Sequence, residues 1–157
     1  MDFVADTVLP APSHGRIEHV EAWYRLRLPQ KYKELIQFGN GGVPKRRFVP
    51  VGSNVREIER LLAILDDPRS YGDIGWYDIG SVFAQIEDRL VADENLLGTD
   101  LLPFVALVGG DFACLDYRAS SERPAVCIWS HEESDEGLPV TRPLAENFDE
   151  FLSMLTE

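Results

Sequence analysis

Asp111, Asp116 and His131 are side chains of the types that run acid–base hydrolysis. Two carboxylates and an imidazole can activate water and protonate a leaving group if they converge on one reacting atom. Asp111 lies in a Gly-Gly-Asp turn, Asp116 in a strand-like segment, and His131 at no fixed distance from either, so a carboxylate-dependent hydrolase is the weakest of three functional readings. Cys114 and Cys127 would suit a metal pair or a redox switch if neighbouring strands brought them together. No C-x-x-C pair and no His at ligand spacing accompanies them, which favours two small apolar thiols, reduced and metal-free. His131-Glu132-Glu133-Ser134-Asp135-Glu136-Gly137 holds metal-ligand types without H-E-x-x-H spacing, and adjacent residues on an extended chain point in opposite directions. It reads first as a solvated loop, second as an interaction patch and third as a metal site.

Two further segments invite a chemical reading. Gly39-Asn40-Gly41-Gly42 has the glycines of a phosphate cradle, but it follows an apolar-periodic segment, at the negative end of a helix, where a C-cap fits and an anion does not. Lys45-Arg46-Arg47 is the only cationic run and lacks interleaved aromatics, so it predicts a solvated loop and no nucleic-acid contact. No catalytic set, cofactor or metal is expected.

The elements that must position these residues centre on Leu101–Tyr117. Phe104–Val108 and Phe112–Tyr117 read as two strands of a hairpin, closed where Gly109-Gly110-Asp111 supplies positive φ. Pro124–Trp129 is expected to pair with the second strand, bringing Cys114 near Cys127. Ile17, Val20, Trp23, Tyr24 and Leu28 draw one stripe on a helix, and Tyr32, Leu35, Ile36 and Phe38 a second, starting at Pro29. Phe48–Val51 reads as a strand. Asn54 and Glu57 resemble a capping box, which predicts a helix burying Ile58, Leu61, Leu62 and Leu65. A short strand is expected around Ile74–Tyr77, then one or two helical turns capped by Asp78 or Ser81. A last helix, capped by Asn147, buries Phe148, Phe151, Leu152 and Leu155. Residues 1–14 read as a flexible N-terminal arm and 15–157 as one α+β domain around a largely antiparallel sheet, covered by N-terminal helices and a C-terminal helix.

Charge is unevenly spread: residues 1–60 hold ten Lys or Arg against seven Asp or Glu, whereas 61–157 hold five against twenty. A field of that sign disfavours phosphate backbones and anionic membranes and steers a basic protein inward. Solubility alone would also account for it. Met1–Gly15 has neither a basic start nor an apolar run, so neither a signal peptide nor a membrane span is predicted, and a cytoplasmic location is expected.

The order of the motifs resembles the SUKH superfamily, which includes fungal cell-wall assembly regulators and bacterial immunity proteins. Leu28-Pro29-Gln30-Lys31-Tyr32 followed by Asn40-Gly41-Gly42 is similar to its opening helix and turn. Leu102-Pro103-Phe104-Val105, Gly109-Gly110-Asp111 and Leu115-Asp116-Tyr117 are similar to its central elements, and Asn147-Phe148-Asp149-Glu150-Phe151-Leu152 to its closing helix. Between Gly42 and Leu101 the motifs lapse, leaving room for a partner-specific shape. The resemblance implies a non-enzymatic protein-binding domain: an immunity protein neutralising a toxin such as a nuclease, or alternatively a regulatory scaffold for an endogenous partner. The expected partner is a basic toxin domain. Asp66, Asp67, Asp93, Glu94, Glu132, Glu133, Asp135 and Glu136 are the candidate contact residues.

Overall fold

The computed structural model describes residues 1–157. Helix α1 (Arg16–Tyr24) is followed by α2 (Gln30–Gly39), then by strands β1 (Phe48–Val51) and β2 (Asn54–Leu61). Two 3-10 turns between Pro68 and Tyr77 lead into α3 (Ile79–Leu90), and β3 (Leu101–Leu107), β4 (Phe112–Asp116), β5 (Ala125–Trp129), β6 (Thr141–Ala145) and α4 (Phe148–Met154) complete the chain. The six strands form one antiparallel sheet whose spatial order equals their sequence order. This is the expected α+β architecture.

The central hairpin forms as its sequence predicts. Every residue of β3 is buried, so both faces of the sheet are covered there. Gly109 and Gly110 turn the chain with φ of 102° and 96°. Phe104 meets Tyr32 of α2 and Phe148 and Phe151 of α4 edge to face, with ring centroids 5.3–5.9 Å apart. Farther along the sheet, the Trp129 indole donates to the Arg89 carbonyl in the last turn of α3 and lies under the Arg89 guanidinium. Asn147 caps α4 by accepting the Glu150 amide at 2.9 Å, as the sequence predicts.

The helix predicted over Ile58–Leu65 is instead β2 and its extension. Gly52 and Ser53 close a two-residue hairpin that pairs Val51 with Asn54, and β3 takes the other edge of the strand. Leu61 to Leu65 are all buried, whereas an amphipathic helix would bury one stripe. Their backbone is satisfied by tertiary partners: Leu62 donates to Phe104, Ala63 to Tyr77, and Ile64 to the Asn40 side chain. The strand expected at Ile74–Tyr77 is a 3-10 turn. Asp78 does cap α3 through the Ser81 amide, but that helix has twelve residues where one or two turns were expected. Pro143–Ala145 belongs to β6, an edge strand where the missing N–H of Pro143 is tolerated.

The first residues are also placed differently from a flexible arm. Val4 donates to Val43, Leu9 to Asn40 and Lys45 to Asp2, each at 2.8–2.9 Å, and Phe3 makes an isolated bridge with Pro44. Apolar Phe3, Val8 and Leu9 give this stretch something to bury against Gly39, Gly41 and Gly42, where no Cβ intervenes. Arg60 holds it from below, donating through Nε to the Gly41 carbonyl at 2.8 Å and through a terminal nitrogen to the Thr7 carbonyl at 3.1 Å.

Candidate partner-binding surface

The hydrolase residues do not converge. Asp111 immediately precedes β4 and Asp116 is its last residue, so the two lie roughly 17 Å apart at strand rise. Asp111 accepts the His131 backbone amide at 2.8 Å and pairs with Arg56 at 2.9 Å. Asp116 is gripped by Arg118 through two nitrogens at 2.9 and 2.7 Å. Burial would raise its pKa, but the Arg118 hydrogen bonds outweigh that and hold the carboxyl below its ordinary value. Both acids are engaged in structural pairs, and the His131 ring hydrogen-bonds neither of them, its ring contacts being with Arg89 and Trp129.

Cys114 and Cys127 are direct cross-strand partners, as the pairing of β4 with β5 predicts, and both are buried free thiols. Burial pushes the Cys127 thiol up to about 12 and the Cys114 thiol well above its ordinary value. Thiols so protonated are poor nucleophiles and poor ligands. No group of three or more His, Cys, Asp or Glu side chains has metal-site geometry. Asn40, at the C-terminal end of α2 in the glycine cluster, is fully buried, and its side chain makes three backbone hydrogen bonds that cross-brace Pro10 and Ile64.

The eight acids marked by sequence fall into different settings. Asp66 accepts from the Ser13 amide and hydroxyl, and Asp67 caps the 3-10 turn through Arg69. Glu133 pairs with Arg142 at 2.9 Å, while Asp135 accepts the Glu136 amide within its own turn. Glu132 is exposed. Only Asp93, Glu94 and Glu136 are brought together: they line a cleft of about 1120 Å³ at the end of α3.

The backbone of the acidic loop, predicted to be merely solvated, is pinned there. Gly137 donates to the Asp88 carbonyl at 2.8 Å, and the Arg89 guanidinium donates to the carbonyls of His131 and Ser134. Its four carboxylates stay exposed.

The same cleft contains Glu87 and Asp88, which sequence reading passed over, and Trp23, which it placed in the core. Trp23 is 73% exposed and stacks on His19. Ile17, Val20 and Tyr24 fill the buried stripe, leaving Trp23 on its margin. Phe38 of α2 holds the equivalent marginal position and is 57% exposed, meeting Phe3 edge to face. The first helix also ends earlier than expected, at Tyr24, because Arg25 adopts a left-handed conformation. Leu28 is buried in the following loop, where its amide donates to Glu21. A weak signal for Trp23 was present: an aromatic at the edge of a stripe already complete without it.

These features define a class: an α+β domain that offers surfaces and clefts, with its carboxylate–histidine set dispersed. The chain belongs to the SMI1 / KNR4 family (SUKH-1), whose model matches residues 11–154 and therefore also spans the stretch between Gly42 and Leu101 where motifs lapse. The family is generally non-catalytic and implies protein–protein interaction. No curated protein matches the chain significantly. No helix is long and apolar enough to cross a membrane.

Proposed function

We propose that the protein is an immunity-type inhibitor that neutralises a basic toxin domain by docking on it. The observation that carries the reading is the acidic field of residues 61–157, twenty carboxylates against five cationic side chains, on a chain of this family. A nuclease must bind a polyanion, so an inhibitor presenting fixed carboxylates competes for the same cationic surface and is steered to it before contact. The acids of the cleft support this reading best, because they are not consumed by internal cations. The test is co-expression with the toxin domain encoded in the neighbouring reading frame, scored by growth and by isolation of a stoichiometric complex. Protection together with complex formation supports the reading. A toxin that neither binds nor is neutralised refutes it and favours a regulatory scaffold for an endogenous partner.

A further inference from the structure

Helices α1 and α3 lie side by side and leave a groove between them. From α1 it is walled by Val20, Trp23 and Tyr24, and from α3 by Ile79, Phe83 and Glu87, each set at one-face helical spacing. Arg16 and His19 of α1 also line it, and the Arg16 charge acts on the Asp78 carboxyl that lines it too. The groove measures about 440 Å³, and in its floor the Tyr24 and Phe83 rings meet at 5.0 Å. Burial and the neighbouring Asp78 and Glu87 push the Tyr24 phenol up to about 12, so it stays a neutral hydroxyl. Trp23 and Glu87 line both this groove and the larger cleft at the end of α3, so the two form one continuous surface.

The cleft holds Glu87, Asp88, Asp93, Glu94 and Glu136 against a single cation, Arg25. None of these five carboxylates takes part in any of the chain's six ion pairs. A largely apolar slot, an exposed indole and unpaired acids are therefore contiguous.

We propose that the α1–α3 groove is the docking site for a basic amphipathic segment of a partner protein. An apolar side chain of that segment fills the slot beside Trp23, and its Lys or Arg side chains enter the acidic cleft. This inference rests on the reading of the chain as an inhibitor of a basic protein, and it adds where that protein is gripped. Charge complementarity selects the occupant. A second copy of this chain carries a net charge of −12 and would bring carboxylate to carboxylate, and a nucleic acid or anionic lipid would meet the same repulsion. An Arg of the partner laid on the Trp23 face gains cation–π attraction, and Trp and Arg are the types that concentrate binding energy at interfaces.

The probe is a short synthetic peptide of leucine and lysine at helical spacing, with a leucine–glutamate peptide as its control. In the full chain carrying Trp76→Phe, Trp23 is the only exposed indole, because Trp129 is buried, so the emission shift reports on the groove. The expected result is a saturable blue shift with the lysine peptide alone, weakening as salt rises. By calorimetry, affinity falls roughly tenfold or more in Trp23→Ala and in the combined Glu87→Lys, Asp88→Lys, Glu94→Lys variant, with melting temperature unchanged. No shift, or equal affinity in both variants, overturns the proposal. The same variants are assayed against the toxin domain. Undiminished neutralisation in both overturns the groove as the docking site and leaves the inhibitor reading intact. Peptide binding with the stated dependences but no neutralised toxin refutes the inhibitor reading and supports the groove as a site for basic segments.

Discussion

Replacing Asn40 tests whether the buried cross-brace, and not the mere filling of space, holds the N-terminal stretch, α2 and the β2 extension together. Its Nδ2 donates to the Pro10 carbonyl at 2.8 Å and to the Ile64 carbonyl at 2.9 Å, while its Oδ1 accepts the Ile64 amide at 2.8 Å. In Asn40→Ala the exposed Pro10 carbonyl can turn to water, but both backbone groups of buried Ile64 are orphaned. At about 1–3 kcal/mol for each orphaned group, the loss is roughly 3 kcal/mol. For a chain of this size that lowers Tm by roughly 6–12 °C. Asn40→Asp separates the causes, because it keeps the shape and the acceptor but points an oxygen at two carbonyls. Burial raises the folded-state pKa of the new acid. Its contribution is therefore favourable below the unfolded value of about 3.9 and lost as pH rises through the folded value. At neutral pH this variant should be at least as unstable as Asn40→Ala, and its deficit should shrink on acidification. Urea unfolding across pH, with the slope m checked for constancy, measures both. A deficit below about 1 kcal/mol for Asn40→Ala, or a near-neutral Asn40→Asp at pH 7, would refute the hydrogen-bond account.

Two further outcomes follow from the interior. Cys114 and Cys127, buried and protonated, should react with a thiol reagent only as fast as the protein unfolds, so labelling in native buffer should match the rate of global opening; fast modification would contradict their placement. Arg118→Ala should raise the pKa of Asp116. The wild-type carboxyl is depressed, so the pair contributes above the unfolded value of about 3.9 and is lost as pH falls through the folded value. The stability difference should therefore narrow towards acid and stay near 1 kcal/mol or less at neutral pH, because Arg118 is partly exposed. A gap that is independent of pH between 2 and 7 would show that the pair is not its source.

The parts legible from sequence were those whose local chemistry and tertiary setting agree. Gly109-Gly110-Asp111 between two apolar runs demands a hairpin in any context, and Asn147 before Phe148 and Phe151 demands a capped helix. Asn54-Val55-Arg56-Glu57-Ile58 failed because a capping pattern and a strand alternation coexist there, and pairing with β3 decides between them. The partner surface was less legible still. Of the eight acids, the three that share the cleft are indistinguishable in sequence from the five that do not. The cleft draws on residues 23–25, 83–99 and 136–137, segments distant in sequence, and the Gly137 amide and the Arg89 guanidinium fasten the acidic loop to α3.

The identity of spatial and sequential strand order bears on how the chain acquires its shape. Four of the five strand pairings join segments linked by a turn or a loop, so their closure entropy is small, and the three within Leu101–Ala145 can zip from either end of that stretch. The exception is β2 with β3, which are separated by the 3-10 turns and all of α3. That long closure divides the chain into an early-forming C-terminal meander and a late-joining β1–β2 hairpin. The contacts of the N-terminal stretch are completed once the hairpin has arrived, because Arg60, which donates to the Thr7 carbonyl, lies on β2, and Ile64, which Asn40 braces, on its extension. The Asn40 brace and the Arg60 contacts are on this view the last interactions made on folding and the first released on unfolding, so weakening them would speed unfolding far more than it slows folding.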